Sequence, residues 1–456
     1  MNSGPKTIKM NMKLFTTIIL SVCTISACKN GPSEEEKKAE NAGKEATIAT
    51  GTGQTVDLPA PFASRSSTKL SNVIGWPDGK TPIAPAGFTV TKFAGDLDNP
   101  RWIYVAPNGD IFVSEASTEK NLKKQIKSVV TGKSKAGNTN GSADRITLLR
   151  DADHDGTPEL KTVFLEDLNQ PFGMTIIGNT FYVANTDGVL AYPYQPGQTK
   201  MTAQGKQILP LPAGGYNNHW TRNLFASKDG KKIFVTVGSG SNVGENGMEH
   251  EVKRAAILEI NPDGSGERIY AGGLRNPQGM GYAPGTNTLW VAVNERDQLG
   301  DDLVPDYITS VKDGGFYGWP YSYFGQHEDP RMKDQQRPEL VKSAIVPDVA
   351  LSAHAAALGL AFDAQNIFPG KFKGGAFIGE HGSWNRSSFV GYKVGFVPFS
   401  NGKPSGKEED FLTGFLTGHE TDAYGRPVGV AFTSDAMLVA DDAGNTIWRV
   451  SANQKQ

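Results

Sequence analysis

The chain has 456 residues, and its 46 Lys and Arg against 48 Asp and Glu leave a formal net charge of −2, which gives no support for nucleic-acid binding. Fifty-three Gly and 27 Pro suit a fold with many tight turns better than a helical bundle. The only two cysteines, Cys23 and Cys28, leave no Cys-based metal site, and no C-x-x-C-H haem attachment is present.

Residues 1–28 read as an address. Lys13 precedes an apolar run at 14–25, which ends in Ser26-Ala27-Cys28. A charged start, a short apolar stretch and small residues before a Cys are expected of a bacterial lipoprotein signal with Cys28 lipidated. The run is too short to span a bilayer. Residues 29–62, rich in Glu, Lys and Gly, are expected to form a flexible acidic tether. Residues 63–456 remain for one large β-rich domain.

Within that body a short phrase recurs six times. It reads N-P-R-W-I-Y-V from Asn99, Q-P-F-G-M-T-I from Gln170 and H-W-T-R-N-L-F from His219. It continues as N-P-Q-G-M-G-Y from Asn276, H-A-A-A-L-G-L-A-F from His354 and R-P-V-G-V-A-F from Arg426. A second β-rich run follows, such as D-I-F-V-S-E or T-L-W-V-A-V-N, and turns such as P-N-G at Pro107 and P-D-G at Pro262 join strands. Radial repetition of this kind predicts an all-β, six-bladed propeller of four-stranded antiparallel blades. The closing blade is expected to pair residues 446–450 with 88–93, leaving no open edge. Arg101, Gln170, His219, Arg275, His354 and Arg426 stand at the phrase starts, as though one position per blade faced the axis.

Two stretches interrupt the spacing, a Lys-rich one at about 117–143 and an aromatic one at about 303–348. The second carries Tyr317, Trp319, Tyr321 and Phe324, which suit either a sugar-stacking wall or packing. Between the phrases, D-A-D-H-D-G-T-P-E places Asp151, Asp153 and Asp155 at alternate positions before a Gly. Such spacing wraps oxygen ligands around a calcium ion, or forms a plain acidic turn.

G-L-R-N-P-Q-G-M at 273–280, V-N-E-R-D-Q-L-G-D-D at 293–302 and G-G-F-Y-G-W-P at 314–320 resemble the glucose/sorbosone dehydrogenase family. G-E-H-G-S-W-N-R at 379–386, followed by G-Y-K-V, is similar to its sorbosone-dehydrogenase-like branch. The resemblance covers about 85–450. It implies a propeller that uses pyrroloquinoline quinone (PQQ) with Ca²⁺ to oxidise an aldose or sugar-derived aldehyde. Electrons would pass to a separate acceptor, a cytochrome or a quinone.

Carried over by motif, His219 takes the place of the general base and Arg275 and Asn276 that of the pair contacting the quinone oxygens. Gln170 matches a cofactor-contacting glutamine, and Arg426 one of two arginines gripping the PQQ carboxylates. The second arginine falls on Tyr424, and Arg386 is the nearest counterpart of a cofactor lysine. The backbone carbonyls that hold calcium fall on Asp297 and Gln298, where the family has Gly-Pro. His354 and His381 are further axis candidates, structural or functional. Two other readings stay open, a calcium-dependent lactone hydrolase and a non-catalytic glycan-binding propeller. The lipid signal implies anchoring in the bacterial cell envelope, on the periplasmic side or the surface.

Overall fold

A computed structural model describes residues 51–52, 56–118, 141–419 and 421–453. The signal with Cys28, the tether up to residue 50 and positions 119–140 of the first insertion lie outside the described residues. The described chain is almost wholly β, and its one α-helix is the single turn Pro338–Ser343. No helix among them is long and apolar enough to cross a membrane.

Six blades, each of four antiparallel strands, form in chain order, spanning 100–165, 174–210, 224–272, 277–353 and 361–412 for blades 1 to 5, and Gly315–Phe316 adds to the edge of blade 3 in parallel. Blade 6 joins Pro427–Phe432, Met437–Asp441 and Thr446–Ala452 to the N-terminal strand Phe88–Ala94. That last pairing is antiparallel and closes the ring as expected.

The second strand of most blades is a mainly apolar run, because blades stack face to face and bury both sides of it. Ile111–Glu115, Ile233–Val237, Leu289–Val293, Ala376–Glu380 and Met437–Asp441 are buried at every position. Aromatic edges fill the gaps between blades: Phe112, Phe164 and Phe181 meet between blades 1 and 2, and Phe368, Phe377 and Phe411 lie beside blade 6.

The repeated glycine is explained at the axis, where neighbouring innermost strands touch through their backbones. Gly173 N–H donates to Arg222 O at 2.9 Å, and Gly279 N–H donates to Leu358 O at 2.9 Å. Gly359 and Gly379 both lie against the Val428 carbonyl, and a Cβ on Gly429 would come within 2.6 Å of Arg101 O. Blade 3 has Asn223 here instead, and its Nδ2 donates across to Gln278 O at 2.9 Å.

These contacts set the register of the six phrases and correct the sequence reading. The equivalent openings are Asn99, Gln170, Trp220, Asn276, Ala356 and Arg426. The backbone agrees: Ala116, Asn294, His381 and Asp442 N–H donate to the carbonyls of Asn99, Asn276, Ala356 and Arg426. Arg101, His219, Arg275 and His354 therefore reach the same rim from other positions.

Part of the expected tether is held by the propeller. Gly51–Thr52 pairs with the outer strand of blade 4 at Ala350 and Val349, and Phe62 N–H donates to Leu299 O at 2.7 Å. The strap continues along the rim, where Asn385 Nδ2 donates to Ser67 O and Lys69 N–H to Trp384 O, each at 2.9 Å.

Candidate active site

The rim where innermost strands begin and second strands end carries two adjoining clusters. The first centres on Arg275. Its Nη2 donates to Asn242 Oδ1 at 2.9 Å and lies 3.3 Å from Asp297 Oδ2, while Nη1 donates to Glu295 O at 2.5 Å. The Arg275 carbonyl accepts from Ser239 N–H at 2.8 Å, which ties this strand to His219. His219 Nδ1 donates to Ser239 O at 2.8 Å, with Ser239 Oγ at 3.1 Å. That bond leaves the Nε2 lone pair as the basic site.

Burial, then the positive charge of Arg275, lowers the His219 pKa to about 3. The imidazole is therefore neutral at physiological pH. Buried Arg222 holds its backbone, donating from Nη1 to His219 O at 2.6 Å. On the other side of Arg275, Asp297 also faces His354, whose Nδ1 lies 3.3 Å from Oδ1 and whose Nε2 donates to Gly300 O at 2.9 Å. Burial disfavours a charged His354, but the Asp297 carboxylate outweighs it and raises the pKa. Asp297 is held low despite burial, by His354 and then Arg275.

The second cluster lines a cavity of about 360 Å³ with Arg101, Ser117, Asn218, Trp220, His381, Trp384, Arg426 and Asp442 in its wall. His381 Nε2 lies 2.9 and 3.0 Å from the two Asp442 oxygens, and Arg101 Nη1 pairs with the same carboxylate. Burial raises the Asp442 pKa, but His381 and Arg101 beside it hold it well below the usual carboxylate range. Arg426 Nε donates to His381 O at 2.9 Å and Nη2 to Gly382 O at 2.8 Å. The Arg101 guanidinium sits 5.6 Å from the Trp220 ring.

Across both clusters, Arg101, Arg275 and Arg426 outnumber the carboxylates Asp297 and Asp442, so the rim favours an anionic ligand. Two buried donors, Arg101 Nε and Arg275 Nε, have no acceptor.

A family model described as TrAA12-like matches residues 82–306 and 322–453. The chain belongs to this TrAA12-like family. A Borreliella burgdorferi protein described as uncharacterized is 28% identical over 379 residues, covering 80% of this chain and 89% of that one. The aldose sugar dehydrogenase YliI of Escherichia coli is 31% identical over 132 residues, 29% of this chain and 30% of that protein. The holo form of the pyranose dehydrogenase PQQ domain of Coprinopsis cinerea superposes with a TM-score of 0.64, covering 84% of this chain and all of that one. At 19% identity, that likeness speaks for the fold.

In this TrAA12-like propeller His219, Arg275 and Asn276 come together. Asn276 Oδ1 accepts from Gln278 Nε2 at 2.6 Å and lies beside His219 across Gly238. Gln170 is a step removed from the cavity, and its Nε2 donates to the wall residue Ser117 at 2.7 Å. Tyr424 and Arg386 point elsewhere. Tyr424 packs on Trp76 at 5.2 Å and accepts from Lys80 Nζ at 2.8 Å. Arg386 donates to Asp301 O at 2.6 Å and pairs with Asp302 at 2.7 Å, clamping the 301–302 turn.

The Asp297 carbonyl does not fit the role of an axial calcium ligand. Asp297 O already accepts from Arg331 Nη1 at 2.8 Å and Asn242 Nδ2 at 3.1 Å, so both lone pairs are used and a guanidinium stands where a dication would bind. Gln298 is held next to it through its N–H, which donates to Asn385 Oδ1 at 2.9 Å. The quinone does fit the donor set in charge, through the guanidiniums of Arg101, Arg275 and Arg426.

Two other expectations resolve by burial. Tyr317, Trp319 and Phe324 are interior, with Tyr317 Oη donating to Ser310 O at 2.6 Å and Trp319 Nε1 to Asn242 O at 2.9 Å. That motif is packing, and the aromatic walls of the cavity are Trp220 and Trp384. Asp151, Asp153 and Asp155 do converge, together with Glu159, with one ligand atom from each lying within 4.8 Å of the others. This group sits beside the 107–109 turn, at the opposite end of blade 1 from the rim.

Proposed function

We propose that this protein is a PQQ-dependent sugar dehydrogenase that oxidises an aldose or a sugar-derived aldehyde at the propeller rim. The observation that carries this reading is the rim itself: Arg101 and Arg426 in a cavity walled by two tryptophans, with Arg275 and a neutral His219 in the adjoining cluster. The names of the TrAA12-like family's relatives, a pyranose dehydrogenase and an aldose sugar dehydrogenase, support the same class.

When bound, PQQ supplies a two-electron acceptor for hydride. The protein's share is proton handling, charge and shape. His219, with Nδ1 engaged by Ser239, offers Nε2 to the substrate hydroxyl proton, a role worth roughly 10²–10⁴-fold in rate. Arg275 supplies a fixed positive charge next to that base, where negative charge develops on oxygen. Trp220 and Trp384 give flat apolar faces, and Arg426 an anchor for carboxylates.

An anionic ligand that offsets Arg275 would also raise the His219 pKa toward a useful value, because part of its depression comes from that charge. The lactone-hydrolase reading needs axial carboxylates free for a metal. Asp297 and Asp442 are both taken up by cations.

Reconstitution tests the proposal: purified protein with PQQ, followed by dye reduction across a panel of aldoses and aldehydes. Turnover with at least one sugar is expected, and absence of both PQQ binding and dye reduction would favour the glycan-binding alternative. The signal at 1–28 supports lipid anchoring at Cys28 in the cell envelope, with electrons leaving to a cytochrome or quinone. Replacing Cys28 with Ser should release the protein from the membrane fraction, and unchanged fractionation would refute the anchor.

A further inference from the structure

We propose that Arg101 is the second carboxylate-gripping guanidinium of the rim, supplied by blade 1 in place of Tyr424. The inference rests on the PQQ reading above. The position where the family's second arginine would stand holds a tyrosine, whose ring lies against Trp76 and whose hydroxyl is bound by Lys80. Within the cavity itself, Arg101 faces the space that Arg426 also lines.

The hydrogen-bond inventory of Arg101 is uneven. Nη1 pairs with Asp442, and that is its one bond to a described residue. Nε is buried and has no acceptor, and Nη2 has none among the described residues. Nε is shielded from the cavity, so Nη2–H is the donor left for a carboxylate. Asp442 therefore aims the guanidinium through Nη1 without consuming Nη2, the atom that would meet a ligand. Trp220 stacks beneath it and limits its swing.

Arg426 is placed for the same ligand by different means. Its Nε and Nη2 are directed by the His381 and Gly382 carbonyls. His381 in turn binds Asp442, so the two guanidiniums are linked through one imidazole and one carboxylate. The pair carries two positive charges against one negative, which suits a multiply charged carboxylate ligand and gives no advantage to a neutral one.

The test compares PQQ with its uncharged trimethyl ester, each titrated calorimetrically against the full chain and its Arg101→Gln and Arg101→Lys variants. Melting temperature serves as the fold control. Arg101→Gln is expected to weaken PQQ by about 10- to 100-fold and to leave ester binding unchanged. Arg101→Lys keeps a charge for Asp442 but has no second nitrogen to offer a ligand at the same time, so it should weaken PQQ by several-fold; it stands in if Arg101→Gln does not fold. Equal PQQ affinity in wild type and folded variants would overturn the inference while leaving the quinone reading intact. Parallel weakening of PQQ and ester would overturn it too, since that marks a structural role. Wild-type protein that binds no PQQ would overturn both.

Discussion

The Arg331 guanidinium donates to the Asp297 carbonyl oxygen at 2.8 Å, and Asn242 Nδ2 donates to the same atom at 3.1 Å. Arg331 comes from the 303–348 insertion and is itself fixed by Asp329, through Nε at 2.9 Å and Nη2 at 2.7 Å. A protein cation thus occupies the carbonyl that a calcium ion would need. PQQ affinity is expected to be unaffected by chelator, and calcium titration should find no ion that depends on Asp297. A chelator-sensitive PQQ complex would contradict this.

The Asp151–Glu159 loop is the separate place to look for calcium. Asp151 is pushed above the usual carboxylate range, by burial first and then by the neighbouring carboxylates. Its backbone turns are already satisfied by Asp153 and Asp155 side chains, so an ion-free acidic turn is also a closed structure. Calcium heats that vanish in Asp153→Asn/Asp155→Asn would establish the site. Identical titrations of wild type and variant would leave it an acidic turn. PQQ binding should be the same in both proteins, because the loop lies away from the rim.

His219 should link acid stability to the proposed activity. Folded, it protonates only near pH 3, whereas an unfolded histidine does so at about 6.5. As pH falls through that window the unfolded chain takes up a proton that the folded chain refuses, so stability falls with it. His219→Asn should flatten the decline in melting temperature between pH 6.5 and 4, and an unchanged slope would argue against a depressed pKa. His219→Ala should lower turnover by about 10²–10⁴-fold with PQQ affinity largely kept. Full turnover in that variant would remove the base assignment.

The innermost glycines are steric requirements. A methyl on Gly359 or Gly379 would collide with the Val428 carbonyl where blades 5 and 6 meet. Either change to Ala should cost about 1–3 kcal/mol, read from urea midpoints. Gly214, whose added Cβ would meet nothing, is the control and should move little.

The propeller was legible because a glycine-bearing phrase returns whenever an innermost strand must approach its neighbour. The register was not. His219 and His354 look like phrase openings, yet the backbone equivalents are Trp220 and Ala356, since side-chain polarity does not mark which carbonyl accepts the second strand's N–H. Arg275 and Asn276 were readable from a local motif. Arg331 was invisible, because an insertion more than thirty residues downstream delivers it. Asp442 and Ser239 likewise act only through partners that the fold brings from other segments, His381 and Arg101 for one and His219 for the other.

The central claim is that sugar is oxidised by a quinone held on this rim. Anaerobic mixing of the PQQ-loaded protein with an aldose, followed by quinone absorbance in a single turnover, tests it most directly. One equivalent of quinone reduced per chain, slowed by His219→Ala and with binding weakened by Arg101→Gln, is the result this account predicts. A quinone spectrum unchanged by every sugar in the panel would contradict it.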